Sequence, residues 1–422
     1  MKYTKVNKKN CCIHLIKTDK FKKNVINISF RQPITNKFDI IKKDILCNLL
    51  ILGTNKYKTR RELEIKCEDL FGASININNK KAGSYNIFSL TTSFLDNKYT
   101  LENTREQIIN FVKEILFNPL LINNEFDDNL VDIAKRGYLE DIKGISDNPS
   151  QVSIITMRKL IDEDSLYAFS PYFYIDKIPS ITKKELLDVY YDIINNSKVD
   201  ISIIGNVDDN IIAEFDNLPL KSTDYDISVY SQVNNNYIQK IDEGKYNQSK
   251  LVLAYSLNNL TETEKMYTSY ILSFIIGGSS DSLIFKKLRQ ENSLCYYADS
   301  SYSLFYQMFE INVGLESKNY EKAVALIKEV IEEICNGHIE DEDIQKAKIT
   351  YENAWKEIMD NPLSIINMHL SHEYYNLDYV DERIQKMNEI TKEDIINLSK
   401  KIQLNAIYLL KGINENEEDT FK

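Results

Sequence analysis

Apolar and polar residues alternate over positions 24–31, the period-two pattern of a half-buried strand. Positions 38–52 predict an apolar helix. Positions 59–70 predict a second helix, with Thr59 and Glu62 spaced as a capping-box pair. Positions 74–78 and 85–94 alternate like two paired strands around a Lys80-Lys81-Ala82-Gly83 turn. An amphipathic helix over 101–116 stops near Pro119, and 125–145 predicts a long charged helix. Further helices run towards Asn195, and 199–204 predicts a strand.

The same order then begins again. A strand over 250–255 is followed by helices over 263–276 and 281–290, strands over 294–300 and 308–315, helices over 320–335, 341–359 and 391–401, and a final strand over 406–410. Three local matches support a duplication. Ile181-Thr182-Lys183-Lys184-Glu185-Leu186-Leu187 returns as Ile390-Thr391-Lys392-Glu393-Asp394-Ile395-Ile396. Asp147-Asn148-Pro149 returns as Asp360-Asn361-Pro362, and an apolar helix ending at Gly53 is echoed by one ending at Gly277-Gly278. The separations shrink from about 224 to about 209 residues, as small insertions and deletions would produce, and far exceed the period of a solenoid. The expected organisation is therefore an α+β domain over 1–215, a polar Asn- and Asp-rich linker over 216–245, and a second copy over 246–422.

Composition narrows the function classes. The chain has 422 residues, 43% hydrophobic and 27% charged, which excludes disorder for its bulk. Lys+Arg is 52 against Asp+Glu 63, a net charge of −11, which argues against nucleic acid as the main partner. No apolar run is long enough for a membrane span, and the basic start at 1–10 is not followed by a signal-type apolar region, so a cytoplasmic protein is expected. The six cysteines (Cys11, Cys12, Cys47, Cys67, Cys295, Cys335) form no C-x-x-C pair and are expected to be reduced and partly buried. The four histidines bound any imidazole chemistry. His14 and His338 are isolated and expected at a surface or interface; His369 and His372 share an H-x-x-H-E stretch and are expected on a partly exposed helix.

Gly277-Gly278-Ser279-Ser280-Asp281-Ser282-Leu283-Ile284-Phe285-Lys286-Lys287-Leu288-Arg289, leading into Ser293-Leu294-Cys295-Tyr296-Tyr297, resembles the second-domain signature of the insulinase/pitrilysin (inverzincin) metallopeptidases. Asp69-Leu70-Phe71-Gly72-Ala73-Ser74 resembles the helix-to-strand corner of their first domain, and Leu139-Glu140-Asp141-Ile142 with Asp147-Asn148-Pro149 also fits. The resemblance covers nearly the whole chain. It implies two tandem homologous domains in the half-clam arrangement of processing peptidases, each an antiparallel-rich sheet packed with helices.

The resemblance fails where catalysis would sit. Family peptidases carry H-x-x-E-H on the first long helix, two zinc ligands and a water-activating Glu. That register falls on Asp44-Ile45-Leu46-Cys47-Asn48, so Asp44 and Asn48 stand at the His positions and Cys47 at the base. An Asn amide is a poor zinc ligand, and a neutral thiol is not a poised carboxylate. The third family ligand is the second of two acids seven apart; Glu125 and Asp132 have that spacing, which makes Asp132 a shortened relic. No metal, no cofactor and no catalytic residue are expected.

Arg289 and Tyr296 match the family's Arg/Tyr pair, which implies hydrogen bonds to substrate backbone. The bland alternative is an Arg capping its helix and a Tyr in the sheet. Gly277-Gly278-Ser279-Ser280 lacks the Lys and Thr of a phosphate loop and is expected to end a helix, with a peptide-contacting rim as the alternative. The resemblance is to the non-catalytic bacterial type associated with elongation factor P aminopentanol modification. It implies a peptide-binding subunit that pairs with an active H-x-x-E-H homologue. Two rivals remain at this stage: a stand-alone homodimeric binding or scaffold protein, and an active peptidase with Asp44, Cys47 and Asp132 as atypical ligands.

Overall fold

The computed structural model describes residues 1–234 and 236–413. The first half supplies strands β1 (Lys2–Asn7), β2 (Cys12–Lys17), β3 (Lys23–Pro33), β4 (Ser74–Ala82) and β5 (Tyr85–Leu95), a small hairpin β6 (Leu121–Ile122) and β7 (Glu125–Phe126), and β8 (Lys198–Gly205). The second supplies β9 (Ile238–Gly244), β10 (Ser249–Leu257), β11 (Cys295–Ser303), β12 (Met308–Leu315) and β13 (Ile402–Gly412). The main helices of the first half are α1 (Lys37–Leu50), α2 (Arg60–Asp69), α3 (Arg105–Phe117), α4 (Asp128–Lys143), α5 (Pro149–Ile161) and α6 (Lys183–Asn196). Those of the second are α7 (Ser269–Gly277), α8 (Leu283–Phe285), α9 (Tyr320–Cys335), α10 (Asp341–Ile358), α11 (Pro362–Tyr375), α12 (Val380–Glu389) and α13 (Lys392–Ser399). The chain is thus α+β, with two antiparallel-rich sheets packed with helices.

The duplication is carried through the topology. The strand orders are β1-β2-β8-β3-β5-β4 and β11-β12-β10-β13-β9. In each sheet the last strand runs parallel to a first strand (β8 with β2, β13 with β9) and antiparallel to the next one (β8 with β3, β13 with β10). The repeated Ile-Thr-Lys motif folds alike twice. Thr182 Oγ1 accepts from Glu185 N while Glu185 Oε2 accepts from Thr182 N, and Thr391 and Asp394 form the same reciprocal pair. The repeated Asn-Pro motif also serves one role, since Asn148 Oδ1 caps the start of α5 and Asn361 Oδ1 caps the start of α11.

Packing separates two compact units. One comprises Met1–Lys143, Pro171–Val229 and Met359–Leu370; the other Gly144–Ser170, Tyr230–Ile358 and Ser371–Lys422. The segments beginning near the two Asn-Pro motifs are thus exchanged between the halves. In the second unit, Leu251, Leu253, Ile311 and Val313 pack with the helices α7, α9 and α13, while Val252, Ala254, Ala406 and Tyr408 pack on Met157 and Ile161 of α5. Burial on both faces explains why β10 and β12 are buried throughout and why their sequences do not alternate cleanly.

Several elements differ from the sequence-based expectation. The stretch 216–245, expected as linker, contains β9. The first hairpin turns at Gly83-Ser84, with β4 continuing through Ala82. The long charged helix starts at Asp128, because Glu125 and Phe126 are spent in the small hairpin.

Candidate functional site

The first long helix opens at Asn36, whose side chain accepts from Phe38 N. It carries Asp44 and Cys47 three residues apart, on neighbouring positions of one face. Asp44 is committed to the protein: Oδ1 accepts from Asn79 Nδ2 of β4 at 2.8 Å, and Oδ2 accepts from the Tyr138 hydroxyl of α4 at 2.7 Å. Burial raises its carboxyl to about 6, against the opposing pull of these two hydrogen bonds. Burial, and then the charge of Asp44, pushes the Cys47 thiol well above its ordinary value, so it stands as a neutral thiol. Asn48 is half-buried. Lys43, one residue before Asp44, donates to Gln32 Oε1 at 2.6 Å, and burial pushes its ammonium down to about 8.

Asp132 lies elsewhere. Its side chain is 66% exposed and pairs with Lys135 at 3.5 Å. Glu125 is exposed too and pairs with Lys183. From α4, then, it is Tyr138 and not Asp132 that meets the residue at the first motif position. Asp44, Cys47 and Asp132 form no metal-ligand cluster among the described residues. A zinc ion needs three or four converging donors; this arrangement offers one carboxylate already filled by two hydrogen-bond donors and one protonated thiol. The residues present do not fit the family's metal. Tyr138 and Asn79 were invisible to motif spacing; only the need of a buried carboxylate for donors could have called for them.

Arg289 lies within the π-helical turn Lys286–Glu291, and its Nη1 donates to the Cys295 carbonyl at 2.8 Å. Tyr296 is 52% exposed, with its hydroxyl 3.4 Å from Glu316 Oε1. The register slips between Cys295 and Tyr297, so Tyr296 is the extra residue of a β-bulge on the edge strand β11. The bulge turns Tyr296 outward. Its neighbour Tyr297 instead lies against Gly314, where an added Cβ would come within 2.3 Å of the ring. Arg289 and Tyr296 thus sit at the start of one exposed edge. The preceding glycines end a helix: Gly278 N donates to Phe274 O, and Gly277 lets α7 approach β11, an added Cβ there falling 2.6 Å from Ser300 N.

The histidines depart from expectation. His14 is fully buried and not at a surface: Nε2 meets Asp200 Oδ1 at 2.9 Å and Nδ1 meets the Tyr3 hydroxyl at 2.8 Å. Cys12, His14 and Asp200 are the cluster with ligand spacing among the described residues, because Cys12 and Asp200 pair across β2 and β8 and His14 is two residues further on the same face. Both imidazole nitrogens are already engaged, which is the pattern of a satisfied buried histidine. His369 is also buried, with its ring stacked on Tyr3 at 4.2 Å. His372 bonds the Leu377 carbonyl and stacks on Tyr379, and His338 is exposed. The six cysteines form no disulfide, and four of them are buried.

Residues 180–351 match the family model described as the peptidase M16 inactive domain. The chain is 26% identical over 410 residues, 94% of its length and 95% of the relative's, to a Bacillus subtilis protein named "Probable inactive metalloprotease YmfF". A solved structure of a conserved protein from Enterococcus faecalis has the same fold, with a TM-score of 0.91 at 22% identity, covering 98% of this chain and 99% of that one. A peptidase M16 inactive domain from Pseudomonas fluorescens aligns with a TM-score of 0.77 at 16% identity, covering 98% of each. Among the described residues no helix is long and apolar enough to cross a membrane.

Proposed function

We propose that this inactive-type member of the insulinase/pitrilysin peptidase family binds peptide without cleaving it and works beside a homologous subunit that keeps H-x-x-E-H and its zinc. The observation that carries this reading is the closure of Asp44 by Asn79 and Tyr138, set against the exposure of Arg289 and Tyr296. The catalytic position has become packing, while the pair suited to peptide backbone still faces solvent. A peptide would add as a strand to an open sheet edge, with main-chain hydrogen bonds supplying affinity. The edge strands are β1 and β4 in one sheet and β11 and β9 in the other. A guanidinium fork and a phenol beside such an edge would hold peptide carbonyls. Cleavage would fall to the partner.

The test is a native pull-down of the tagged chain from its own cells, read by mass spectrometry. A near-stoichiometric chain carrying H-x-x-E-H is the expected result. Recovery of the tagged chain alone, under conditions that preserve known complexes, would overturn the pairing and leave a stand-alone protein.

A further inference from the structure

The second unit holds a cavity of about 150 Å³ that neither the motif register nor the Arg289–Tyr296 pair uses. Its walls are aromatic: Tyr267, Tyr270, Tyr351 and Trp355. The Tyr267 and Trp355 rings meet edge-on at 6.3 Å, and Tyr270 and Tyr351 at 5.9 Å. Such mutual packing fixes the walls before any ligand arrives. A dry cavity of this volume holds about one benzene-sized group.

One wall is charged. Arg383 and Asp378 both line the cavity, and Arg383 Nε donates to the Asp378 carbonyl at 2.5 Å. Among the described residues its two terminal nitrogens meet no acceptor, and the Tyr270 hydroxyl makes no hydrogen bond. The acid beside it is already taken. Asp378 Oδ2 accepts from the Tyr267 hydroxyl and from Lys386 Nζ. The exposed Glu382 is turned to its own helix start, accepting from Tyr379 N. Burial lowers the Arg383 guanidinium from its ordinary value, the mark of a desolvated charge that its neighbours do not fully compensate. A guanidinium with a free fork, at the rim of an apolar pocket, matches one chemistry above others: a planar anion taken up by two parallel N–H bonds. A cationic ligand would suit the aromatic walls but would be repelled by Arg383. A long acyl chain would exceed the volume.

We propose that this cavity binds a small hydrophobic monocarboxylate, with one ring or branched side chain among Tyr267, Tyr351 and Trp355 and its carboxylate on the Arg383 fork, assisted by the Tyr270 hydroxyl. The carboxylate can belong to a free acid or to the last residue of a peptide, and the chemistry recognised is the same. The inference stands apart from the subunit pairing proposed above.

Trp355 is the single tryptophan of the chain, so the site carries its own reporter. The experiment titrates the full chain with 3-phenylpropionate and, separately, with the uncharged 3-phenylpropanamide, following Trp355 fluorescence. The expected result is a saturable change with the acid and an affinity for the amide weaker by roughly tenfold or more, the size of a lost charge-assisted pair. In R383Q the acid and the amide should bind alike, with an unchanged circular dichroism spectrum as the control for folding. A second arm compares an acetylated peptide ending in a free Phe carboxylate with its C-terminally amidated form. Preference for the free-ended peptide over the small acid assigns the site to peptide C-termini; preference for the small acid assigns it to a metabolite. Equal affinity of acid and amide for the native chain, or no saturable signal with either acid, would overturn the proposal whatever R383Q does.

Discussion

The Tyr138 hydroxyl donates a 2.7 Å hydrogen bond to Asp44 Oδ2. This contact joins α4 to α1 at Asp44, where the resemblance puts the first motif position. A metal site there would need α4 to offer a lone pair; it offers a proton instead. Asp44 is therefore not an isolated departure from H-x-x-E-H, because a residue on the facing helix complements its side chain.

Asp44 makes stability depend on pH in a defined direction. Its folded-state value, about 6, lies above the ordinary 3.8, so the folded state binds the proton more tightly than the unfolded chain. This contribution is fully present below about pH 4 and is lost as pH rises through about 6. Asp44→Asn keeps an acceptor for Asn79 and can face Tyr138 with its amide, so it should be the more stable form at pH 8, by up to about 3 kcal/mol, and near-neutral at pH 4. Urea unfolding of both proteins at the two pH values measures this; a parallel pH dependence in the variant would refute the assignment.

Restoring the motif alone should not restore zinc. The triple variant Asp44→His, Cys47→Glu, Asn48→His supplies two imidazoles and a base. Asp132 still points to solvent beside Lys135, and Tyr138 still occupies the approach from α4. Two histidines without a converging third ligand hold zinc weakly. After gel filtration with a mild chelator, the triple variant should retain far less than one zinc per chain and cleave no reporter peptide. One retained zinc and chelator-sensitive cleavage would show that a third ligand is in reach.

The sequence made the duplication legible because it survives in capping residues. Thr182–Glu185 and Thr391–Asp394 are local devices, readable without knowing the fold. The first strand of each sheet core was missed in both copies, for opposite reasons. In β2 every residue from Cys12 to Ile16 is buried, so no alternation marks it. In β9 the edge position leaves Gln239, Lys240 and Glu243 exposed, and the segment reads as linker. Both strands join their sheets by parallel pairing to a partner more than 160 residues away, which no local pattern encodes. The site was half legible for the same reason: Asp44, Cys47 and Asn48 share one helix turn, whereas Asn79 and Tyr138 are brought to them by the sheet and by α4. His14 was expected at a surface or interface because Asp200, the partner that permits its burial, lies 186 residues away.

The pair of half-buried Arg158 and buried Glu310 anchors α5 to the second sheet. Arg158 Nε and Nη2 each lie 2.7 Å from a Glu310 oxygen, the Tyr167 hydroxyl adds a further bond, and the Glu310 side chain is only 4% exposed. Arg158→Ala strands a buried carboxylate and should cost about 3–5 kcal/mol. The double variant Arg158→Met, Glu310→Leu removes both charges and should cost less than Arg158→Ala alone. Denaturant midpoints of the two variants decide this; a double variant less stable than the single one would mean that the pair contributes net stability.

Arg289 and Tyr296 allow a peptide-binding role to be separated from a structural one. Tyr296 sits exposed on a bulge, so Tyr296→Ala should change stability by no more than about 0.5 kcal/mol. Arg289→Ala loses its bond to the Cys295 carbonyl, worth about 1 kcal/mol. If the pair holds peptide backbone, each variant should weaken binding of an unstructured fluorescent reporter peptide by roughly tenfold, far beyond what its effect on folding explains. Arg289→Lys discriminates further: a lysine can still bond one carbonyl but cannot present a rigid fork, so it should recover stability more fully than affinity. Unchanged peptide affinity in Arg289→Ala and Tyr296→Ala would reduce the pair to a helix end and an edge residue. The binding surface would then have to be sought along the edges of β4 and β11 themselves, where backbone rather than side chains would carry the contact.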